Sequence, residues 1–477
     1  MKHLAGLPEG RRRVNGPGRP WPRPPVAGHE GMGPTVTDIP FKMELDFQRH
    51  IGLRLALSMA VGLVEPLIWS QRHRKPAELD DVAIVELFFN TILSRNITFG
   101  LDPQDELVFE RYLADRQEGD VDFKIDFSAL SRLHTRPDIY VAPTVTLGRI
   151  AADGSKRLVA MRVNGMTLTP ADGNAWALSR HFLMQGAGLH GVLVHHTPLH
   201  FQFDAINAIT TTLLPETHTL RRLLAPHFEF SLSLNRAALH SSLSILTNKA
   251  YLPFATFPGD SASIHHLQAS GWSGIEGNRA YPAYRFARRP EPVYGDLGRF
   301  LDGYFKVIRQ FTARVTETMA ADDPLVLAWA DEVSEWLPGF PDAAEMRVPG
   351  VLADVTATII WGTSVVHSTE HCGLVDDIPL DAIPLRLRVM PPVSRTMPAL
   401  DRRALTKSGD MFRQRVAWEM LVRDHAATSL FDTRYSFELP ALKQANIQFL
   451  DDLKKVDEAL PVRRYVPLRR IARSIQF

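Results

Sequence analysis

The sequence predicts a mainly α protein, one large helical domain with a small β subregion near its start. Three observations predict this. Apolar periodicity of helical type dominates from about residue 175 to the C-terminus. Residues 140–150 and 157–164 are rich in Val, Thr and Leu, and Ala152-Asp153-Gly154-Ser155 makes a turn between them, which reads as a hairpin. Finally, 477 residues with 45% hydrophobic content suffice for one large core or two ordinary ones.

In chain order, residues 1–40 are rich in Pro, Gly and Arg and read as a flexible tail. No apolar run follows Arg11-Arg12-Arg13, so no secretory or twin-arginine signal is read and a cytoplasmic location is expected. Residues 41–477 read as a single catalytic domain. Residues 41–95 are helical and apolar. The longest apolar stretch, 51–69, is interrupted by Arg54, Glu65 and Pro66. A membrane span needs about 20 nearly uncharged apolar residues. A buried helix is expected there, with a helix lying on a membrane surface as the alternative. Residues 96–137 are mixed and give no clear element. Helices are expected at 175–212, 217–225, 297–319, 324–336, 351–370, 410–428 and 440–459. Phe257-Pro258-Gly259-Asp260 and Arg288-Arg289-Pro290-Glu291-Pro292 break the pattern. No internal repeat is present.

Charge and cysteine exclude several functions. The net charge is +1 and no Lys/Arg-rich block recurs, so nucleic acid is not an expected partner. The single cysteine, Cys372, excludes a disulfide framework and a zinc site built mainly from thiolates. Cys372 reads as a small buried residue.

Histidine is unevenly spread. Seven of the 18 fall between His181 and His227, where an even spread would place about two. A lone helical His is more often a structural residue than a ligand, so spacing has to decide. His367 and His371 are four apart, on one face of an α-helix, where both rings reach one ion. His195 and His200 are five apart and would diverge by roughly 140° on a regular helix. A π-type turn would bring them together. Pro198 between them has no N–H for the Val194 carbonyl. It either ends or kinks a helix, or helps to set up the bulge.

Here the chain resembles the lipoxygenase family. His190-Gly-Val-Leu-Val-His195-His-Thr-Pro-Leu-His200 looks like its signature of one His preceding two His ligands. His218, Leu223-Leu224-Ala225-Pro226-His227 and Leu234-Asn235 continue the pattern in register, and Trp176-Ala-Leu-Ser-Arg180 precedes it. Ile359-Ile360-Trp361 leading to His367-Ser-Thr-Glu-His371 resembles the second ligand helix, and residues 465–477 resemble the C-terminal tail. The likeness runs from about residue 138 to Phe477. Departures are Pro198, Thr219 in place of Pro, Gly191 where Gln is common, and Phe477 where many members have Ile. No N-terminal β-sandwich is read, so a short bacterial-type member is expected.

The resemblance implies a lipoxygenase-like helical catalytic domain. It implies a metal held by His195, His200, His367, His371 and the terminal carboxylate of Phe477. Such nitrogen and oxygen donors suit iron, with manganese as a substitute. It implies hydrogen-atom abstraction from a polyunsaturated fatty acid or acyl lipid at a ferric-hydroxide centre. Addition of O2 then gives a lipid hydroperoxide, and no catalytic side chain is implied beyond the metal-bound hydroxide. The alternative is hydroperoxide isomerisation or oxidation of an unusual small molecule on the same fold. His190 and His227 become either hydrogen-bonding partners of the ligands or ordinary core histidines. His181 and His196 are expected to face away from the metal. Ala238 falls where Ala favours S and Gly favours R stereochemistry. Peripheral membrane contact fits a lipid substrate.

Overall fold

A computed structural model describes residues 26–29, 33–36, 38–52, 63–419, 427–460 and 465–475. The stretch read as a flexible tail ends in a hairpin. β1 (Val26–His29) pairs antiparallel with β2 (Gly33–Val36), and β2 is buried. Val36 packs with Ala208 and Leu232, so a tertiary contact decides a segment whose composition argues for a coil. Residues 1–25 lie outside the described residues. α1 (Phe41–Phe47) follows. In the apolar stretch 51–69, residues 53–62 also lie outside. The described end is α2 (Val64–Arg72), whose Val64, Leu67 and Ile68 point outward rather than into a core. Among the described residues no helix is long and apolar enough to cross a membrane.

α3 (Asp81–Asn90) starts at Asp80, whose carboxylate accepts the Ala83 N–H at 2.7 Å. It buries Ile84, Val85, Phe88 and Phe89, then tightens into a 3₁₀ turn, Ile92–Asn96. α4 (Pro103–Leu113) pairs an Asp102 cap with Pro103 at its first position. Together with the expected hairpin these frame one antiparallel sheet, β3 (Ile97–Phe99), β4 (Val121–Asp126), β5 (Thr144–Ile150), β6 (Lys156–Val163) and β7 (Met166–Leu168), hydrogen-bonded in that order. The hairpin read from sequence is β5–β6, in register from Thr144↔Val163 to Ile150↔Lys156. β4 escaped notice because its alternation is ionic. It reads Val-Asp-Phe-Lys-Ile-Asp, and Lys124 is buried against Asp102, Asp105 and Asp126.

The helical body follows. α5 (Asn174–His190), a π-helical turn at Gly191–His195 and α6 (His196–Leu213) form the continuous helix expected at 175–212. Nearly every side chain of α5 is buried, as in a helix at the centre of a large domain. Next come α7 (Thr219–Leu224), α8 (Ser231–His240), α9 (Ser261–Trp272), α10 (Gly295–Thr316) and α11 (Pro324–Trp336). α12 (Val351–Trp361) runs through a π turn at Gly362–Val366 into α13 (His367–Cys372). α14 (Ser408–Ala417) and α15 (Pro440–Ala459) complete the body. The expected helix at 410–428 begins at Ser408, and residues 420–426 lie outside the described ones. α8 and α9 were not read. α9 is rich in Ser and His, and its Asp260 cap sits in the segment taken as a break.

Two large apolar cores dominate among the described residues. One lies under the sheet around Phe88, Phe123, Phe127 and Phe182. The other joins α6, α10, α11, α12 and α15, with Phe311 stacked on Phe449 at 4.3 Å. The α5–α6 helix crosses both. Leu193 and Val194 belong to the first and Leu199 and Phe203 to the second. The candidate histidines therefore sit where the cores meet.

Candidate metal centre

Three histidines converge between α6 and α13. One ring nitrogen from each of His200, His367 and His371 lies within 4.8 Å of the others. His367 and His371, one turn apart, have ring centroids at 4.5 Å. His367 Nε2 faces His200 Nε2 at 3.2 Å. Two nitrogens each about 2.1 Å from one ion, at right angles, stand about 3 Å apart. The His200–His367 spacing thus fits neighbouring positions on a single transition-metal ion, and His371 lies close enough to join them.

The ring of His200 is held in one tautomer. Asn235 on α8 donates from Nδ2 to Asp204 Oδ1 at 2.7 Å, which turns its Oδ1 toward His200. His200 Nδ1–H then donates to that oxygen at 2.8 Å. The lone pair of the ring is left on Nε2, the atom that faces His367. Asp204 is wholly buried, and burial pushes its carboxyl well above the usual range.

A π turn lies just before each ligand-bearing α segment, at Gly191–His195 and at Gly362–Val366. The first ends at His195, whereas His196–Leu213, which carries Pro198 and His200, is α-helical, so the irregular turn precedes the His195/His200 interval. Pro198 does not end the helix, which runs on to Leu213. α9 lies against the Gly191–His195 turn. A Cβ on Gly271 would come within 2.2 Å of the Val194 carbonyl oxygen, so only glycine permits this approach. The second π turn is packed likewise, with Gly362 under the ring of Phe203.

His195 is not among the three converging rings. Its Nε2 lies 3.1 Å from Asn96 Oδ1, and its ring stands edge-on to His190 at 4.6 Å. Burial lowers its pKa to about 4, so it is neutral near pH 7, the state a ligand requires. Next to Asn96, Arg95 pairs with Glu370, which lies between His367 and His371. His190 is buried among Phe127, Tyr281 and His195. Phe477 lies outside the described residues. Its approach is nevertheless visible. Ala472 N–H donates to Ser368 Oγ at 2.9 Å, and Ser474 and Ile475 are fully buried.

His227 serves that tail rather than the ring cluster. Its Nδ1–H donates to the Arg473 carbonyl at 2.7 Å, and its Nε2 accepts from the Tyr435 hydroxyl at 2.8 Å. Burial lowers its pKa to about 3. Ala238 lies one turn beyond Asn235 on α8, partly buried against the first core. His181 is buried near Arg180 and Arg402, with its pKa lowered to about 4, first by burial and then by those charges. The side chain of His196 is outside the described ones. Cys372 is buried and in no disulfide, as read. His218 caps α7, accepting the Leu220 N–H at 3.2 Å.

Sequence reasoning missed Asn96, Arg95, Asp204 and Ser368. Asn235 had a signal, since Leu234-Asn235 matched the family segment. Glu370 stood in plain view inside the His-x3-His run, but nothing local marked its partner 275 positions away.

No family profile matches the chain. Among curated proteins it is similar to the mouse (Mus musculus) epidermal-type polyunsaturated fatty acid (12S)/(13S)-lipoxygenase, 23% identical over 315 residues that cover 58% of this chain and 46% of that one. The matched segments span about half or less of such relatives' own length. Among solved structures it is similar to the manganese lipoxygenase of Gaeumannomyces graminis, with a TM-score of 0.67, 14% identity and 93% of each chain covered. It is similar also to a lipoxygenase in complex with arachidonate, with a TM-score of 0.68, 14% identity, and 94% and 79% covered. Fold and ordered sequence matches agree: the chain has the fold of lipoxygenase catalytic domains and is distantly similar in sequence to lipoxygenases.

Proposed function

We propose that the chain is a dioxygenase that inserts O2 into a polyunsaturated fatty acid or acyl lipid and releases a hydroperoxide. The observation that carries this reading is the convergence of His200, His367 and His371, with nitrogens at ligand spacing, at the junction of two apolar cores. The known relatives act, by their names, on polyunsaturated fatty acids, and one solved neighbour holds arachidonate.

His200, His367 and His371 would hold the metal, with His195 and the terminal carboxylate of Phe477 completing the set. Iron, or manganese in its place, supplies one-electron redox chemistry when bound. The rest is the work of the chain. Asn235 and Asp204 keep the lone pair of His200 on Nε2. Ser368 and His227 anchor the tail that leads to Phe477. The buried apolar side chains of Leu193, Val194 and Leu199 would help keep bulk water from a pentadienyl radical of the acyl chain and hold it in one pose. Ala238 is assigned the choice of oxygenated face, which favours an S product.

The test is ultraviolet absorbance of a conjugated diene, with parallel O2 uptake, on linoleate and arachidonate with metal-loaded protein. Equal rates of diene formation and O2 uptake are expected. Absence of both across a panel of polyunsaturated lipids, with metal bound, contradicts the reading.

A further inference from the structure

Glu370 is the one carboxylate in the run His367-Ser-Thr-Glu-His371. It is buried on α13, beside two of the three converging histidines. Its carboxylate accepts from the guanidinium of Arg95, which arrives from the 3₁₀ turn Ile92–Asn96. The two side chains are only 15% and 8% exposed, Arg95 first. Among the described residues Glu370 is the one hydrogen-bond partner of the Arg95 side chain, whose Nε is buried without one.

Stability alone does not account for this pair. A buried ion pair loses hydration that its own attraction often fails to repay, and apolar residues in its place serve as well or better. A buried guanidinium nitrogen without an acceptor adds to that cost. Nor does the pair have to bring its two elements together. The turn already packs on the end of α13, where a Cβ on Gly373 would come within 2.3 Å of the Ile92 side chain. What an ion pair supplies and packing does not is an electric field. Charges withdrawn from water are weakly screened, so they act over longer distances. Arg95 is next in the chain to Asn96, whose Oδ1 lies 3.1 Å from His195 Nε2, and Glu370 is next to His371. His195 lies within reach of both charges, which act on it in opposite directions.

We propose that Glu370 and Arg95 set how strongly this site holds a metal cation: the Glu370 carboxylate draws positive charge into the site, and the Arg95 guanidinium limits that pull. This role rests on the metal-centre reading above, and it depends on charge beside the site rather than on the placement of any one ligand. Without the Arg95 charge, the carboxylate acts uncompensated by it. A divalent ion is then held more tightly, and a trivalent ion more tightly still. Without the Glu370 charge, the guanidinium acts alone and both effects reverse. Iron in the loaded chain accordingly shifts toward the ferric form in the first case and toward the ferrous form in the second.

The experiment measures the affinity for Mn²⁺, and for Fe²⁺ without air, by competition with a chelator. Arg95→Met and Glu370→Gln keep the bulk and remove one charge each. Arg95→Gln stands in if the first disturbs folding, which far-ultraviolet circular dichroism reports. Arg95→Lys keeps the charge. Arg95→Met is expected to bind Mn²⁺ roughly tenfold more tightly and Glu370→Gln roughly tenfold more weakly, the scale of one unit charge near a divalent ion. The double variant should return close to the unaltered affinity, and so should Arg95→Lys. A redox titration of the iron-loaded protein, followed by electron paramagnetic resonance, should move the midpoint down in Arg95→Met and up in Glu370→Gln. A pair that only braces the fold predicts weaker binding in both single variants. That result overturns the proposal, as does an Arg95→Met affinity equal to the unaltered one, and in either case the metal centre stands. An unaltered chain that binds neither ion removes the metal centre, and the role of the pair with it.

Discussion

At the scale of single residues, the site is governed by hydrogen bonds that choose tautomers. Asn235 is fixed by Asp204 and in turn fixes His200. Its removal should lower metal affinity about 10- to 100-fold, as for other partners of metal-bound histidines. Chelator competition with Asn235→Ala measures this, and Asp204→Asn should show a smaller loss because its amide oxygen still accepts. Buried neutral histidines also set a pH limit. His181 and His227 have folded pKa values of about 4 and about 3, below the ordinary 6.5. The unfolded chain therefore binds protons first as pH falls. Their contribution is fully present above pH 6.5 and declines steadily toward pH 4. Urea midpoints should fall over that window, and His181→Gln should flatten the slope. An unchanged slope in that variant would remove His181 from the account. The same scale shows what was legible. The pair His367/His371 announced itself, because four positions make one helical turn. Asn96 had no signal, since its only relevance is a contact across 99 positions.

At the scale of elements, π turns and glycine contacts place the rings. The Gly191–His195 turn is pinned by α9 at Gly271, and the Gly362–Val366 turn by the ring of Phe203. Gly271→Val would drive a side chain into the Val194 carbonyl. It should cost about 1–3 kcal/mol of stability and weaken metal binding, because the bulge positions His195. Calorimetric melting alongside metal titration checks both. Loss of stability with unaltered affinity would show the bulge to be incidental. Helices with clear apolar stripes, such as α11 and α15, were read from the sequence nearly residue for residue, and so was the β5–β6 hairpin. The failures share a cause. β4 buries a lysine among carboxylates, α9 is polar in composition, and β1–β2 lie in a Pro/Gly-rich stretch. In each, a tertiary partner decides what local pattern does not. The outward face of α2 has the same character, because burial depends on neighbours and not on hydropathy.

At the scale of the whole molecule, two cores meet along one central helix, and the metal-ligand candidates lie at that seam. This joins residues from across the chain, the Ile92–Asn96 turn, α6, α8, α13 and the C-terminal tail. Such a seam combines rigidity with an apolar surround, as the chemistry proposed above requires. The tail is the least local part. Its backbone is held by Ser368, Thr428, Leu430 and His227, and it is buried as far as Ile475.

The central claim is that His200, His367 and His371 form the nucleus of a redox-metal site. Its most direct test is the metal-to-protein ratio of the purified chain grown with iron and manganese, beside His200→Ala, His367→Ala and a form extended beyond Phe477. The account predicts about one ion per chain in the unaltered protein, little or none in the histidine variants with helical content retained, and a reduced ratio in the extended form. An unaltered chain without metal, or histidine variants that keep a full complement, would contradict it.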